Sequence, residues 1–121
     1  MAEILVIDDE EILTELIADI LMDEGHTVRM ALDGQAGLDE IARKLPDLII
    51  LDMNMPVMDG YEVAKKLRAD PVTASVPIIA LTGLSSSADY DAAYKAGCNA
   101  FIAKPLEPGV LVKTVEDQLA K

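Results

Sequence analysis

The chain has 121 residues and a mass of 13.0 kDa, which is the size of one domain. Hydrophobic residues make up 51% of it, with 7 Gly and 6 Pro, and this excludes the disordered, collagen-like and low-complexity classes. Twenty-two acidic residues against ten basic ones give a net charge of -12, and the aromatic fraction is only 3%, so direct binding to nucleic acid is disfavoured.

Cysteine content and apolar run length indicate where the protein works. The single cysteine, Cys98, cannot form an internal disulfide, and no basic segment followed by an apolar stretch opens the chain. The longest apolar runs are far shorter than the ~18 residues that a bilayer crossing requires. We therefore expect a cytoplasmic protein with no membrane partner.

The apolar pattern alternates between strand and helix along the whole chain. In chain order the sequence predicts a strand at 4–7, a helix at 10–24, a strand at 27–31, a helix at 34–45, a strand at 48–51, a helix capped by Asp59, a strand at 76–81, a helix at 86–96, a strand at 100–103 and a last helix with Pro108 in its first turn. Continuous apolar runs mark three central strands, whereas the alternating run at 27–31 and the short run at 100–103 are typical of edges. Right-handed crossovers then give one doubly wound α/β domain with a five-stranded parallel sheet, spanning residues 1–121.

Polar side chains follow the predicted strands where each strand ends. Asp8 and Asp9 follow the first strand, Asp52 the third, Thr82 the fourth and Lys104 the fifth. Carboxyl ends of parallel strands meet at one edge of the sheet, where ligands bind in such folds. Carboxylates gathered there repel one another unless a cation is present, and an all-oxygen ligand set suits Mg²⁺. The sequence therefore predicts a magnesium site at this edge.

The same residues are suited to phosphoryl transfer onto a carboxylate. Mg²⁺ and Lys104 would offset the charge of the transferring group, and Thr82 would hydrogen-bond one of its oxygens. Asp52 stands alone on a central strand, whereas Asp8 and Asp9 form an adjacent pair better suited to holding the metal. Asp52 is therefore the predicted acceptor.

Four short motifs carry a resemblance to a known family. The segments ILVIDD at 4–9, DMNMPVMDG at 52–60, ALTG at 80–83 and AKP at 103–105 resemble the receiver domain of bacterial two-component response regulators, and the match covers essentially the whole chain. The resemblance implies a flavodoxin-like (βα)5 fold with strand order 2-1-3-4-5. It also implies that a histidine kinase or a histidine phosphotransfer protein phosphorylates Asp52.

The resemblance further assigns roles to individual residues. Asp9, Asp52 and the backbone carbonyl of Asn54 would hold Mg²⁺ directly, with Asp8 acting through water. Thr82 and Lys104 would sense the phosphoryl group, Phe101 would occupy the aromatic switch position, and the Lys104–Pro105 peptide would be cis. The downstream protein target would bind the face made by the fourth helix, the fifth strand and the last helix.

Two positions depart from what the family commonly has or needs. Phe101 replaces the commoner Tyr, so any coupling through it must be steric. Asn54 and Leu84 would flank the water that hydrolyses the acyl phosphate, and Leu84 cannot orient that water. We expect slower dephosphorylation than in Leu84→Gln or Leu84→Glu variants.

The sequence leaves the functional class and the context of the domain partly open. The reading that we favour is a signalling domain, not an enzyme, which assists its own phosphorylation and dephosphorylation. A Mg²⁺-dependent phosphatase with an aspartyl nucleophile would carry a second Asp where Asn54 stands, and a flavin carrier would need a phosphate loop in place of the acidic residues after the first strand. A phosphorylation-independent interaction module is the third alternative. The chain ends one helix after the fifth strand, so signalling is expected to pass through a partner, whether the receiver is free-standing or excised from a longer protein.

Overall fold

The computed structural model describes residues 2–83 and 87–121, which form an alternating series of strands and helices. The elements are β1 (Glu3–Ile7), α1 (Glu11–Asp23), β2 (Thr27–Ala31), α2 (Gly34–Arg43), β3 (Leu48–Asp52), α3 (Gly60–Ala69), β4 (Ile78–Thr82), α4 (Ser87–Ala96), β5 (Ala100–Ala103) and α5 (Pro108–Leu119). Within residues 2–83 and 87–121, no helix combines the length and the apolar composition that a membrane crossing requires.

The five strands form one parallel sheet in the order β2-β1-β3-β4-β5. This confirms the predicted doubly wound α/β class, the strand order and the two edge strands. Every residue of β3 and β4 is buried, because helices cover both faces of these central strands. In the register Asp52 pairs with Leu81 and Thr82 with Ala103, so the carboxyl ends of β3, β4 and β5 lie side by side.

Apolar side chains on the two faces of the sheet form two separate cores. On one face, Ile4, Val6, Leu48 and Ile50 pack with α1 and α5 through Ile17, Leu21, Leu111 and Val115. On the other face, Leu5, Ile7, Ile49 and Leu51 pack with α2, α3 and α4 through Ile41, Val63, Leu67 and Ala93. Burial on both sides explains why the central strands read as continuous apolar runs.

The start of α3 is fixed immediately next to the end of β3. The Asp59 carboxylate accepts a hydrogen bond from the Glu62 backbone N–H at 3.0 Å, which confirms the predicted cap. Gly60 then begins the helix, and a Cβ atom at this position would lie 2.5 Å from the Asp52 carbonyl oxygen and 2.7 Å from Met53 Cα. Only glycine allows α3 to begin this close to the end of β3.

Candidate functional site

The structure places the predicted site residues at the ends of adjacent strands. Asp8 directly follows β1, Asp52 is the last residue of β3, Thr82 is the last residue of β4, and Lys104 directly follows β5. Asp8, Asp52 and Thr82 are each at most 1% exposed. Parallel pairing brings these polar groups from distant parts of the chain to one edge of the sheet.

Lys104 connects the acidic groups of this edge. Its ammonium lies 3.3 Å from Asp8 Oδ2, 3.5 Å from Asp52 Oδ2 and 2.7 Å from Glu10 Oε1. Burial works against the charged form of Lys104, but the hydrogen bond to Glu10 and the charges of Asp52 and Asp8 outweigh it and raise the lysine pKa. A single ammonium thus contacts three carboxylates, more negative charge than it can neutralise.

The Asp52 carboxyl lies in a poorly solvated environment. Burial is the main cause that raises the pKa of Asp52, to about 7, and the charge of Asp8 adds to this effect. Two contacts act in the opposite direction, the hydrogen bond that Asp52 Oδ1 accepts from the Asn54 backbone N–H at 3.0 Å and the charge of Lys104. Without a metal ion, the charged form of Asp52 is therefore disfavoured in this site despite the nearby lysine.

Asn54 and Thr82 are joined by a side-chain hydrogen bond. The Asn54 amide Nδ2 donates to Thr82 Oγ1 at 2.8 Å, with Asn54 exposed and Thr82 buried. The Thr82 backbone is held to the end of β5, because its carbonyl oxygen accepts a hydrogen bond from the Lys104 N–H at 2.8 Å. The loop after β3 is thus in contact with the hydroxyl at the end of β4.

Three carboxylates fit the requirements of a hard divalent cation. Asp8, Glu10 and Asp52 each offer an oxygen atom within 4.8 Å of the others. Asp8 Oδ2 is buried without a hydrogen-bond partner in the described part of the chain, although it contacts the Lys104 ammonium at 3.3 Å. Such an oxygen can ligate an ion without giving up a hydrogen bond, and oxygen is the donor that Mg²⁺ prefers.

The predicted ligand Asp9 does not lie with the other carboxylates of this edge, whereas Glu10 does. Asp9 is exposed and is not among the three mutually close carboxylates. Glu10, which sequence reasoning did not single out, takes part instead. Glu10 stands at the N-cap of α1 but makes no side-chain cap hydrogen bond, and its backbone N–H donates to Asp8 Oδ1 at 2.9 Å. The run of four acids at 8–11 was the available signal, but it did not distinguish between its members.

Three further predictions concern Phe101, the Lys104–Pro105 peptide bond and Leu84. Phe101 is half-buried in β5, and its ring centroid lies 3.9 Å from that of Tyr90 in α4, with the ring planes tilted by 44°. The Lys104–Pro105 peptide bond is cis, as the resemblance implies. Leu84 lies outside the described residues.

Comparisons with known proteins agree with this fold and identify a family. A family model described as the response regulator receiver domain matches residues 4–116. The chain is 39% identical over 114 residues to the response regulator PleD of Caulobacter vibrioides, and this match covers 94% of the chain but 25% of PleD. The chain thus spans about a quarter of that relative's length.

Solved structures give the same picture over nearly the whole chain. A putative response regulator from Chloroflexus aurantiacus is 36% identical, with a TM-score of 0.95 and coverage of 99% of this chain and 98% of the other. The chemotaxis protein CheY4 of Vibrio cholerae is 32% identical, with a TM-score of 0.93 and coverage of 98% of both chains.

Proposed function

This chain belongs to the response regulator receiver domain family, and from that membership we propose that Asp52 is its phosphoacceptor. The observation that carries the proposal is the position of the Asp52 carboxylate at the end of a central strand, buried and within 3.5 Å of Lys104. A buried carboxylate beside a lysine can act as a nucleophile toward phosphorus. The two further acids nearby favour the binding of an additional cation.

The transfer step follows from the chemistry of these residues. An ionised Asp52 oxygen attacks the phosphorus atom of a phosphohistidine and forms a new O–P bond. The N–P bond breaks, and its electron pair stays on the imidazole, which takes a proton from solvent. Lys104 is close enough to stabilise oxygen charge on the phosphoryl group, and the Thr82 hydroxyl at the end of β4 can donate to one of its oxygens.

The carboxylate cluster fits Mg²⁺, which would offset the negative charge of the acceptor and of the phosphoryl oxygens. We propose Asp8, Asp9, Asp52 and the Asn54 backbone carbonyl as its holders. Asp8 is supported by its buried Oδ2, which accepts no hydrogen bond in the described part of the chain and contacts the Lys104 ammonium. Asp9 is supported by the family motif alone, and it would have to turn inward from its exposed position.

The signalling context is proposed from the family. The donor is a histidine kinase or a histidine phosphotransfer protein, and the output passes to a downstream protein through α4, β5 and α5, without direct contact with nucleic acid or membrane. Residues 1–121 act as one receiver domain in the cytoplasm. This domain assists its own phosphorylation and dephosphorylation and is not an enzyme with a separate substrate.

We also propose that Thr82 and Lys104 sense the phosphoryl group, that Phe101 responds to their movement, and that Asn54 and Leu84 set the phosphoryl lifetime. The contact between Phe101 and Tyr90 supports the second role, because it links β5 to the surface of α4. For the lifetime, Leu84→Gln should dephosphorylate faster than the native chain, and an equal or slower rate would contradict the role of Leu84.

Phosphorylation by a small donor tests the assignment of Asp52. The protein is incubated with acetyl phosphate and Mg²⁺, and its intact mass is measured with and without a chelator. We expect the mass of one phosphoryl group on the native chain and none on Asp52→Asn. A phosphorylated Asp52→Asn protein, or a native chain that stays unmodified while its fold is intact, would refute the proposal.

A further inference from the structure

Asn54 contacts both the acceptor carboxylate and the hydroxyl at the end of the neighbouring strand. Its backbone N–H donates to Asp52 Oδ1 at 3.0 Å, and its side-chain amide donates to Thr82 Oγ1 at 2.8 Å. Both distances are those of ordinary hydrogen bonds. The residue two positions after the acceptor therefore links the acceptor carboxylate to the Thr82 hydroxyl in the resting site.

The Thr82 side chain can move while its backbone stays in place. Its carbonyl oxygen is bonded to the Lys104 N–H at 2.8 Å, and its register partner in β5 is Ala103. A change between staggered χ1 rotamers moves a threonine hydroxyl by about 2 Å, which is enough to break a hydrogen bond of this length. Rotation of the Thr82 side chain toward Asp52 would thus break its hydrogen bond with Asn54 and leave the hydroxyl able to bond a group on the acceptor.

We propose that Asn54 is a positioning residue, which holds the Thr82 hydroxyl in the unphosphorylated state and releases it when a phosphoryl oxygen takes that hydroxyl. The bond to Asn54 favours the resting rotamer, so it opposes the rearrangement that phosphorylation requires. The inference rests on the proposed function only because it names a phosphoryl group as the group that competes with Asn54 for the Thr82 hydroxyl. The side chain of Asn54 is exposed, so its replacement leaves both cores intact.

The first test examines the resting protein, without metal or phosphoryl donor. NMR couplings from the Thr82 methyl carbon to its backbone nitrogen and carbonyl carbon report the χ1 rotamer. We expect one dominant rotamer in the native chain and a smaller population of that rotamer in Asn54→Ala and in Asn54→Leu, which retains the bulk of the side chain. Unchanged couplings in both variants would overturn the proposal, whatever the outcome of the phosphorylation experiment.

The second test measures the binding of beryllium fluoride with Mg²⁺, a tetrahedral stand-in for the phosphoryl group on a carboxylate. Loss of one net hydrogen bond in the resting state should raise the affinity about 2- to 10-fold in Asn54→Ala and in Asn54→Leu. Equal or weaker binding would overturn the proposal, since it would mean that Asn54 does not oppose the rearrangement.

A double-mutant cycle shows whether the effect passes through Thr82. In a Thr82→Ala background, Asn54→Ala should change the affinity for beryllium fluoride by less than about 2-fold. The same gain in both backgrounds would refute a role through Thr82. Absence of beryllium fluoride binding to the native chain would instead count against the proposed function, and the rotamer measurement would still decide the role of Asn54.

Discussion

The Lys104 ammonium lies nearer to Glu10 than to the acceptor, at 2.7 Å from Glu10 Oε1 and 3.5 Å from Asp52 Oδ2. The Glu10 side chain is 60% exposed, whereas that of Asp52 is 2% exposed. Of these two carboxylates, the solvated one thus makes the shorter contact with the cation that we propose stabilises the phosphoryl group. In the resting site, Glu10 therefore competes with Asp52 for contact with the Lys104 ammonium.

Removal of that competitor should favour phosphorylation. Glu10→Gln removes the charge but keeps the shape, and an exposed ion pair contributes only ~0.2–1 kcal/mol. We expect phosphorylation by acetyl phosphate to be about 1.5- to 5-fold faster, measured by intact mass at fixed Mg²⁺. Glu11→Gln is the matched control, because Glu11 is exposed at the start of α1 and carries the same charge. A slower rate in Glu10→Gln, together with weaker Mg²⁺ binding, would show that this carboxylate serves the metal instead.

The raised pKa of Asp52 predicts a pH dependence of stability in the metal-free protein. The folded pKa of about 7 lies above the ordinary value of 3.8, so the folded chain keeps a proton that the unfolded chain loses. This contribution to stability is fully present below pH 3.8 and is lost as the pH rises through 7. Asp52→Asn should therefore be more stable than the native chain at pH 8, by roughly 2–4 kcal/mol, with a much smaller difference near pH 4.

Urea unfolding in the presence of a chelator, at several pH values between 4 and 8, measures this difference. Asp19→Asn is the control, since Asp19 is exposed on α1 and the substitution removes the same charge. Parallel stability profiles for Asp52→Asn and the native chain would contradict the burial argument.

Glycine at position 60 is required by the contact between α3 and the acceptor strand. In Gly60→Ala the new methyl group would meet the Asp52 carbonyl oxygen at 2.5 Å, and backbone atoms cannot turn aside as a flexible side chain can. We expect a loss of about 1–3 kcal/mol in the free energy of unfolding and slower phosphorylation of Asp52. Gly109→Ala in α5 is the control, because a Cβ atom there would have nothing within 4 Å. This substitution should raise the free energy of unfolding by up to ~1 kcal/mol. Equal stability of the two variants in urea would refute the steric account.

Val57 has a strained backbone in the loop between β3 and α3. Its φ is 67°, a left-handed conformation that a β-branched residue rarely adopts, and its side chain is fully exposed. Asn tolerates this region, so Val57→Asn should stabilise the fold by about 0.5–1.5 kcal/mol. Val72→Asn is the control, because Val72 is 68% exposed and its φ is not positive. Thermal unfolding measures the stability of both variants. No gain in the stability of Val57→Asn, or the same change in stability in both variants, would contradict the prediction.

The order of strands and helices was predictable because buried strands and helix faces are apolar in the sequence. The run at 48–51 is apolar at every position since β3 is covered on both faces, and Asp52 then marks the strand end. Boundaries were less exact. β4 begins at Ile78, after Pro77, whose carbonyl accepts from the Ile49 N–H at 2.9 Å. α2 ends at Arg43 instead of residue 45, since Lys44 is already extended two residues before Pro46.

The contacts within the site were predictable only in part. Strand ends brought Asp8, Asp52 and Lys104 together as expected, because parallel topology alone determines their meeting. The pairing of Glu10 with Lys104 depends on two flexible side chains separated by 94 positions in the sequence. No local pattern encodes such a contact, since it follows from the rotamers that long side chains adopt after the sheet has formed.

The large sequence separation between Lys104 and its acidic neighbours has a consequence for how the site forms. Lys104 reaches its acidic neighbours only after β5 has joined β4, which is the last strand pairing in chain order. A nascent or truncated polypeptide that lacks the fifth strand holds its acceptor carboxylate without the lysine. The lysine contact with the site therefore forms only once the fifth strand has been synthesised and has joined the sheet.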